Sequence, residues 1–258
     1  MAREKLRIRF RKEGPLRLVS HNDLLRTLER LLRRAALPFA RTNGFHPTPC
    51  LAFPLSLPLG TIGQAEVMEL ELTELLPTAQ VLAALNMHAN PGLVFTSALP
   101  IDRKAVAYAH RVEYHCTHPD GDYPADLAVR CTRLLAESAI WLERTRPRWR
   151  RFDVRPYVQN VAPTDTGIGQ SLWVSRYGAV RAEEVLECLG LSAGRTAGWQ
   201  ITRTVVELTD EVSAHTPPFP EVLTRPAEPT RPPPRRSPTE QPTPAGVWGA
   251  SPHGPVVE

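Results

Sequence analysis

The chain has 258 residues, 42% of them apolar, with 27 prolines, four cysteines and a formal net charge of +4. This length allows one or two globular domains, and with no run of about 18 uncharged apolar residues a soluble, unsecreted protein without a membrane partner is expected. Cys50, Cys116, Cys131 and Cys188 form no Cys-x-x-Cys pair; this argues against a disulfide framework, a zinc site or an iron–sulfur ligand loop and for a reducing cytoplasm, with no cofactor of the chain's own.

Lys5 to Phe10 alternates Leu6, Ile8 and Phe10 with Arg7, Arg9 and Arg11, which predicts a half-buried strand with a basic outer face. Gly14-Pro15 breaks it. Ser20, three residues before Asp23, predicts the cap of a helix. In that helix Leu24, Leu25, Leu28, Leu31 and Leu32 make an apolar stripe, and Arg26, Glu29, Arg30, Arg33 and Arg34 fall elsewhere on the wheel. Leu37-Pro38 ends it. Pro38 to Thr42 reads as a short strand, Asn43-Gly44 as a turn, and His46 to Gly60, with four prolines, as an extended excursion. A strand through Met68, Leu70 and Leu72, a helix entered at Pro77 and a strand from Leu93 to Leu99 complete the order β-α-β-β-α-β.

The second half repeats that order. Strands are expected at Val106 to Cys116, Val154 to Val161, Ser171 to Tyr177 and Trp199 to Leu208, with helices at Asp126 to Arg144 and Arg181 to Leu189. The expected fold class is α+β, with two consecutive ferredoxin-like units at residues 1–100 and 101–212. Residues 213–258 read as a disordered proline-rich tail. From Thr216 onward 13 prolines occur in 43 residues, with few large apolar side chains to offset chain entropy.

Charge is concentrated at one end. Residues 1–41 carry 12 Lys+Arg against four acids, so the rest of the chain is net acidic. In this segment His21 opens the basic helix, where backbone N–H groups can receive an anion, and Asn43-Gly44-Phe45-His46-Pro47 follows in one connection. Two imidazoles beside arginines suit either phosphate contact or acid–base cleavage of a phosphodiester. The plainer alternative is a capping histidine and a solvated helix face balanced by Asp23 and Glu29. A second basic stretch, Arg144 to Arg155 with Trp141 and Trp149 interleaved, includes Arg151 and Arg155 and suits single-stranded RNA. His115 and Cys116 sit on opposite faces of a strand, which argues against zinc. The nucleotide and hydrolase motifs Gly-x-Gly-x-x-Gly, Gly-x-Ser-x-Gly and His-Glu-x-x-His, and the Walker loop, do not occur.

Arg9-Phe10-x-Lys12-x-Gly14, then Ser20-His21-x-Asp23-Leu24-x-Arg26-x-x-Glu29-Arg30-x-x-Arg33-Arg34-Ala35, then Gly44-Phe45-His46-Pro47-x-Pro49 and Leu59-Gly60, resembles the radical-SAM-linked protein family, a domain of unknown function. The resemblance is strongest over residues 5–73 and continues more weakly to about residue 210, with Asp153-Val154-Arg155-Pro156 as a second landmark. It implies a radical SAM protein, encoded beside this one or fused to a relative, as partner and as holder of the cluster. His46 stands where the family more usually has Asn, which cannot titrate. Three functions are compatible with these readings. The first is a non-catalytic RNA-binding accessory of a radical SAM enzyme, using Arg9, His21, Arg26, Arg30, Arg33, Arg34, Asn43, Gly44, Phe45, His46, Arg151 and Arg155. The second is a metal-independent endoribonuclease of RAMP-like architecture using His21 and His46. The third is a protein–protein adaptor.

Overall fold

A computed structural model describes residues 4–144, 149–191, 198–212 and 218–224. The first strand, β1 (Glu4–Lys12), buries Leu6, Ile8 and Phe10, as its period of two requires. Helix α1 (His21–Arg34) starts at Ser20, whose hydroxyl oxygen accepts the Asp23 backbone N–H at 3.2 Å and whose O–H meets the Asp23 carboxylate at 2.7 Å. The stripe Leu24, Leu28, Leu31 and Leu32 is buried. Two residues form β2 (Leu51–Ala52), followed by β3 (Ile62–Leu72), α2 (Thr78–His88) and β4 (Leu93–Ile101). Helices α1 and α2 cover one sheet face, enclosing a core of Leu6, Ile8, Phe10, Leu28, Met68 and Leu85 among others. The Asn86 side chain donates to the Phe95 carbonyl and accepts its N–H, both at 2.9 Å, and so ties α2 to β4.

The chain then builds β5 (Ala109–Thr117), α3 (Leu127–Ala136), the hairpin β6 (Trp141–Arg144) and β7 (Arg150–Asp153), then β8 (Val158–Thr164), β9 (Gly167–Ser175), β10 (Gly178–Ala179), α4 (Ala182–Cys188) and β11 (Gln200–Leu208). Val112, Cys116, Leu134, Val158, Leu172 and Val185 belong to a second core. Strand order in the first half is β4-β1-β3-β2 and in the second β11-β5-β9-β8, with every neighbour antiparallel. The halves join into one sheet because the free edge of β3 is shared. Its far end pairs β2 at Leu70 and Glu69, and its near end pairs β11 in parallel at Ile62 and Gly63.

Three expectations need correction. Asp126 to Arg144 is not one helix. It ends at Ala136 because Arg155 donates to the Leu135 carbonyl, and the Asp153 carboxylate then accepts the Ile140 N–H at 2.8 Å, which sets up the β6–β7 hairpin. Pro38 to Thr42 holds only the isolated bridges Phe39 to Leu72 and Arg41 to Pro49; prolines lack the N–H that a ladder needs, and pairing resumes at β2. The basic outer face of β1 is largely covered: Arg7 is buried and Arg9 half-buried, and of its three arginines only Arg11 is exposed. Of the expected tail, residues 218–224 pack on the second half through buried Leu223, and residues 213–217 and 225–258 lie outside the described residues. No described helix is long and apolar enough to cross a membrane.

Candidate nucleic-acid interface

Helix α1 presents Arg26, Arg30, Arg33 and Arg34 on its exposed face. Arg26, 72% exposed, pairs with Asp23 at 3.2 Å, and Arg33 pairs with Glu29 at 2.6 Å. Exposed pairs of this kind are worth about 0–1 kcal/mol, so a phosphate can compete for either guanidinium. Arg30 has no acidic partner among the described residues. Arg34 instead donates to the His88 carbonyl at 2.8 Å and to the Asn90 side chain at 3.2 Å, placing a cation at the carbonyl end of α2.

Beyond α1 the chain forms a stapled loop. Arg41 bridges Pro49, the Thr42 N–H donates to the Thr48 carbonyl at 2.8 Å, and the Thr48 N–H returns to the Thr42 hydroxyl at 3.1 Å. Asn43, Gly44, Phe45 and His46 form its exposed tip. Phe45 is wholly exposed, at 101% of its reference area. Gly44 has φ +148°, which L side chains rarely adopt. A large apolar ring on a closed loop, packed on nothing, is positioned for contact outside the chain.

His21 is elsewhere. Its ring meets Phe53 edge-to-face at 5.2 Å, and Phe53 in turn packs on Phe10. No hydrogen bond or ring contact joins His21 to His46, which stands on the exposed loop tip.

The remaining sequence candidates have other duties. On the outer face of β1, Arg7 is buried and donates to Glu69 at 3.1 Å and to Asp210 at 2.7 Å, while Arg9 pairs with Glu211 and donates to the Val206 carbonyl at 3.1 Å. Lys5 joins Glu69 at 2.6 Å. Acids from both β3 and the end of the second half thus neutralise Lys5, Arg7 and Arg9 on this face, and the hydrogen bond from Arg7 holds the Asp210 carboxyl below its usual range. Arg155 donates to the carbonyls of Leu135 and Val158, both at 2.7 Å, and fixes the turn after β7. Arg151 is exposed with its guanidinium 4.9 Å from the Trp141 ring centroid.

Most of these residues lie in a segment, from β1 into α4, that matches a known family. Residues 5–187 fit the family described as "Uncharacterized protein conserved in bacteria (DUF2344)". The chain belongs to this family. No curated protein matches it. In this DUF2344 protein the match begins in β1 and stops within α4, so β11, which closes the second half, falls beyond it.

Sequence reasoning missed a buried polar row where the halves meet. Lys12 on β1, Glu66 on β3 and Arg203 on β11 are 1%, 3% and 1% exposed, and Arg203 forms a two-pronged ion pair with Glu66, with Tyr114 on β5 as its cross-strand neighbour. Cross-strand pairing carries the row on to Gln170 on β9, whose amide nitrogen reaches Cys116 Sγ at 3.5 Å and the Ala182 carbonyl at 3.3 Å. Burial pushes the Lys12 ammonium down, only partly offset by Glu66. Lys12 donates to the Val19 carbonyl at 2.8 Å, just before α1. The sequence signals were charges on the apolar parity of their strands: Lys12 after Phe10, Glu66 before Met68 and Leu70, and Arg203 after Ile201. Among the described residues no group of three His, Cys, Asp or Glu gathers as a metal site.

Proposed function

We propose that the protein is a non-catalytic RNA-binding accessory module that works in the cytoplasm with a separate radical SAM enzyme. The observation that carries this reading is the pairing of an arginine-bearing helix, α1, with the stapled loop that follows it and holds Phe45 wholly in solvent. Guanidinium groups meet phosphates, and an exposed aromatic ring stacks on an unpaired base. The contact set narrows to Arg26, Arg30, Arg33, Asn43, Gly44, Phe45 and His46, with Arg151 on its tryptophan as an outlying contact. Arg9, Arg34 and Arg155 hold the fold instead. The radical SAM partner rests on the resemblance of the Arg9 to Gly60 motif, and the cytoplasm on four free thiols.

The architecture is that of two ferredoxin-like units in tandem. Matching strand orders and an antiparallel neighbour at each step within both halves support it. The ribonuclease reading has no specific observation in its favour: His21 packs edge-to-face on Phe53 and His46 stands on the loop tip. Affinity capture of the full chain from native lysate, with crosslinked RNA sequenced and bound protein identified in one eluate, tests the proposal. RNA crosslinked at the Phe45 loop together with a radical SAM protein is expected; a partner protein without RNA would favour the adaptor reading and overturn this one.

A further inference from the structure

Trp173 on β9 points away from the second core yet is buried, because other parts of the chain cover it. His110 lies 5.1 Å from it and Phe219 5.5 Å, both edge-on, and these two rings are 5.0 Å apart. Ser175 donates to the Leu223 carbonyl at 2.6 Å and holds the 218–224 segment against β9. Between that segment and the strand ends is a cleft of about 620 Å³. Its walls include Tyr108, His110, Tyr177 and Phe219, its rim Thr209 and Arg176, and among the described residues no carboxylate lines it. Tyr108 and Tyr177 are 53% and 41% exposed. Arg176, in the turn between β9 and β10, is exposed and has no acidic partner among the described residues.

We infer that this cleft binds a nucleobase with its adjoining phosphate, the base among the aromatic rings and the phosphate on Arg176. The volume lies within the range of small-ligand sites, about 300–1,000 Å³. Aromatic walls take the planar ring, hydroxyl groups meet its edge, and an unpaired guanidinium without a competing carboxylate selects an anion over a cation. Burial holds the His110 imidazole toward its neutral form, which offers one donor and one acceptor. The site belongs to the second half and does not depend on the reading of α1 and its loop.

The ligand can be a free nucleotide or a base of single-stranded RNA, and two probes separate these. Calorimetric titration of the full chain with adenosine 5′-monophosphate and with a short single-stranded oligoadenylate is compared among wild type, Arg176→Ala, Tyr177→Ala and, as a control, Arg30→Ala. Both cleft substitutions are exposed and should leave the melting temperature unchanged while weakening binding about tenfold, the scale of one stacked base. Mononucleotide binding that Arg30→Ala leaves intact assigns a free nucleotide. Binding of the oligomer alone, weakened by the cleft substitutions, assigns an RNA base. Neither probe binding, or affinities indifferent to both cleft substitutions, overturns the inference.

Discussion

Arg203 and Glu66 lie 137 positions apart and form a buried ion pair at the parallel junction of β11 and β3. Lys12 adds a second buried cation near the same carboxylate. The two removals are therefore unequal. Glu66→Gln leaves two buried cations without their anion, whereas Arg203→Met leaves Glu66 with Lys12. Breaking a buried pair costs about 3–5 kcal/mol; urea denaturation should place Glu66→Gln at the upper end, Arg203→Met lower, and the double variant Glu66→Leu/Arg203→Met nearer to wild type than Glu66→Gln. Equal losses for the two single variants would remove Lys12 from this account.

Gly63 leaves the space that Glu66 fills. A Cβ built there would stand 2.4 Å from Glu66 Cγ, on a residue that pairs with both Lys12 and Arg203. Gly63→Ala should destabilise by about 1–3 kcal/mol through overpacking, again by urea denaturation. A neutral effect would show that Glu66 has another low-energy rotamer.

Local pattern was readable and distant pairing was not. The alternation of β1, the leucine stripe of α1 and the Ser20 cap all follow from residues within one or two turns of each other. Arg7 illustrates the limit: its position on the polar parity of β1 reads as exposed, but Asp210 from the far end of the folded chain covers it. The β6–β7 hairpin was hidden because Leu134, Leu135 and Ile140 continue an apolar pattern through the helix end, which the Arg155 side chain enforces from 20 residues away. For the candidate site, composition located the basic segment and the loop. It could not separate Arg30, which has no acidic partner among the described residues, from Arg9 and Arg155, which are bound to the fold. Nor could it show Phe45 exposed, since phenylalanine is usually an inside residue.

His110 gives a pH signature. Burial lowers its folded pKa below the ordinary 6.5, with Glu207 opposing and Arg111 assisting, and Trp173 and Phe219 pack on the ring. The neutral form is favoured in the folded state, so this contribution to stability is complete above pH 6.5 and is lost as pH falls toward the depressed value. The melting temperature of His110→Asn should fall less between pH 7.5 and 5.5 than that of wild type. An identical fall would assign the acid sensitivity elsewhere.

The thiols should react unequally. Burial pushes Cys116 up to about 12 and Cys188 up to about 11, leaving almost no thiolate at neutral pH. Iodoacetamide at pH 7.5, followed by peptide mass spectrometry, should label Cys50 before either, and Cys116 only after denaturation. Early labelling of Cys116 would show that the second core opens locally.

The salt dependence of RNA affinity tests the central claim most directly. Single-stranded RNA should bind the full chain with an affinity that falls steeply from 50 to 200 mM salt, and the slope should diminish by about one for each of Arg26, Arg30 and Arg33 replaced by Ala. Phe45→Ala should weaken binding at every salt concentration without changing the slope, by about 1–3 kcal/mol. Affinity that is absent, or unchanged across this salt range, would contradict the account.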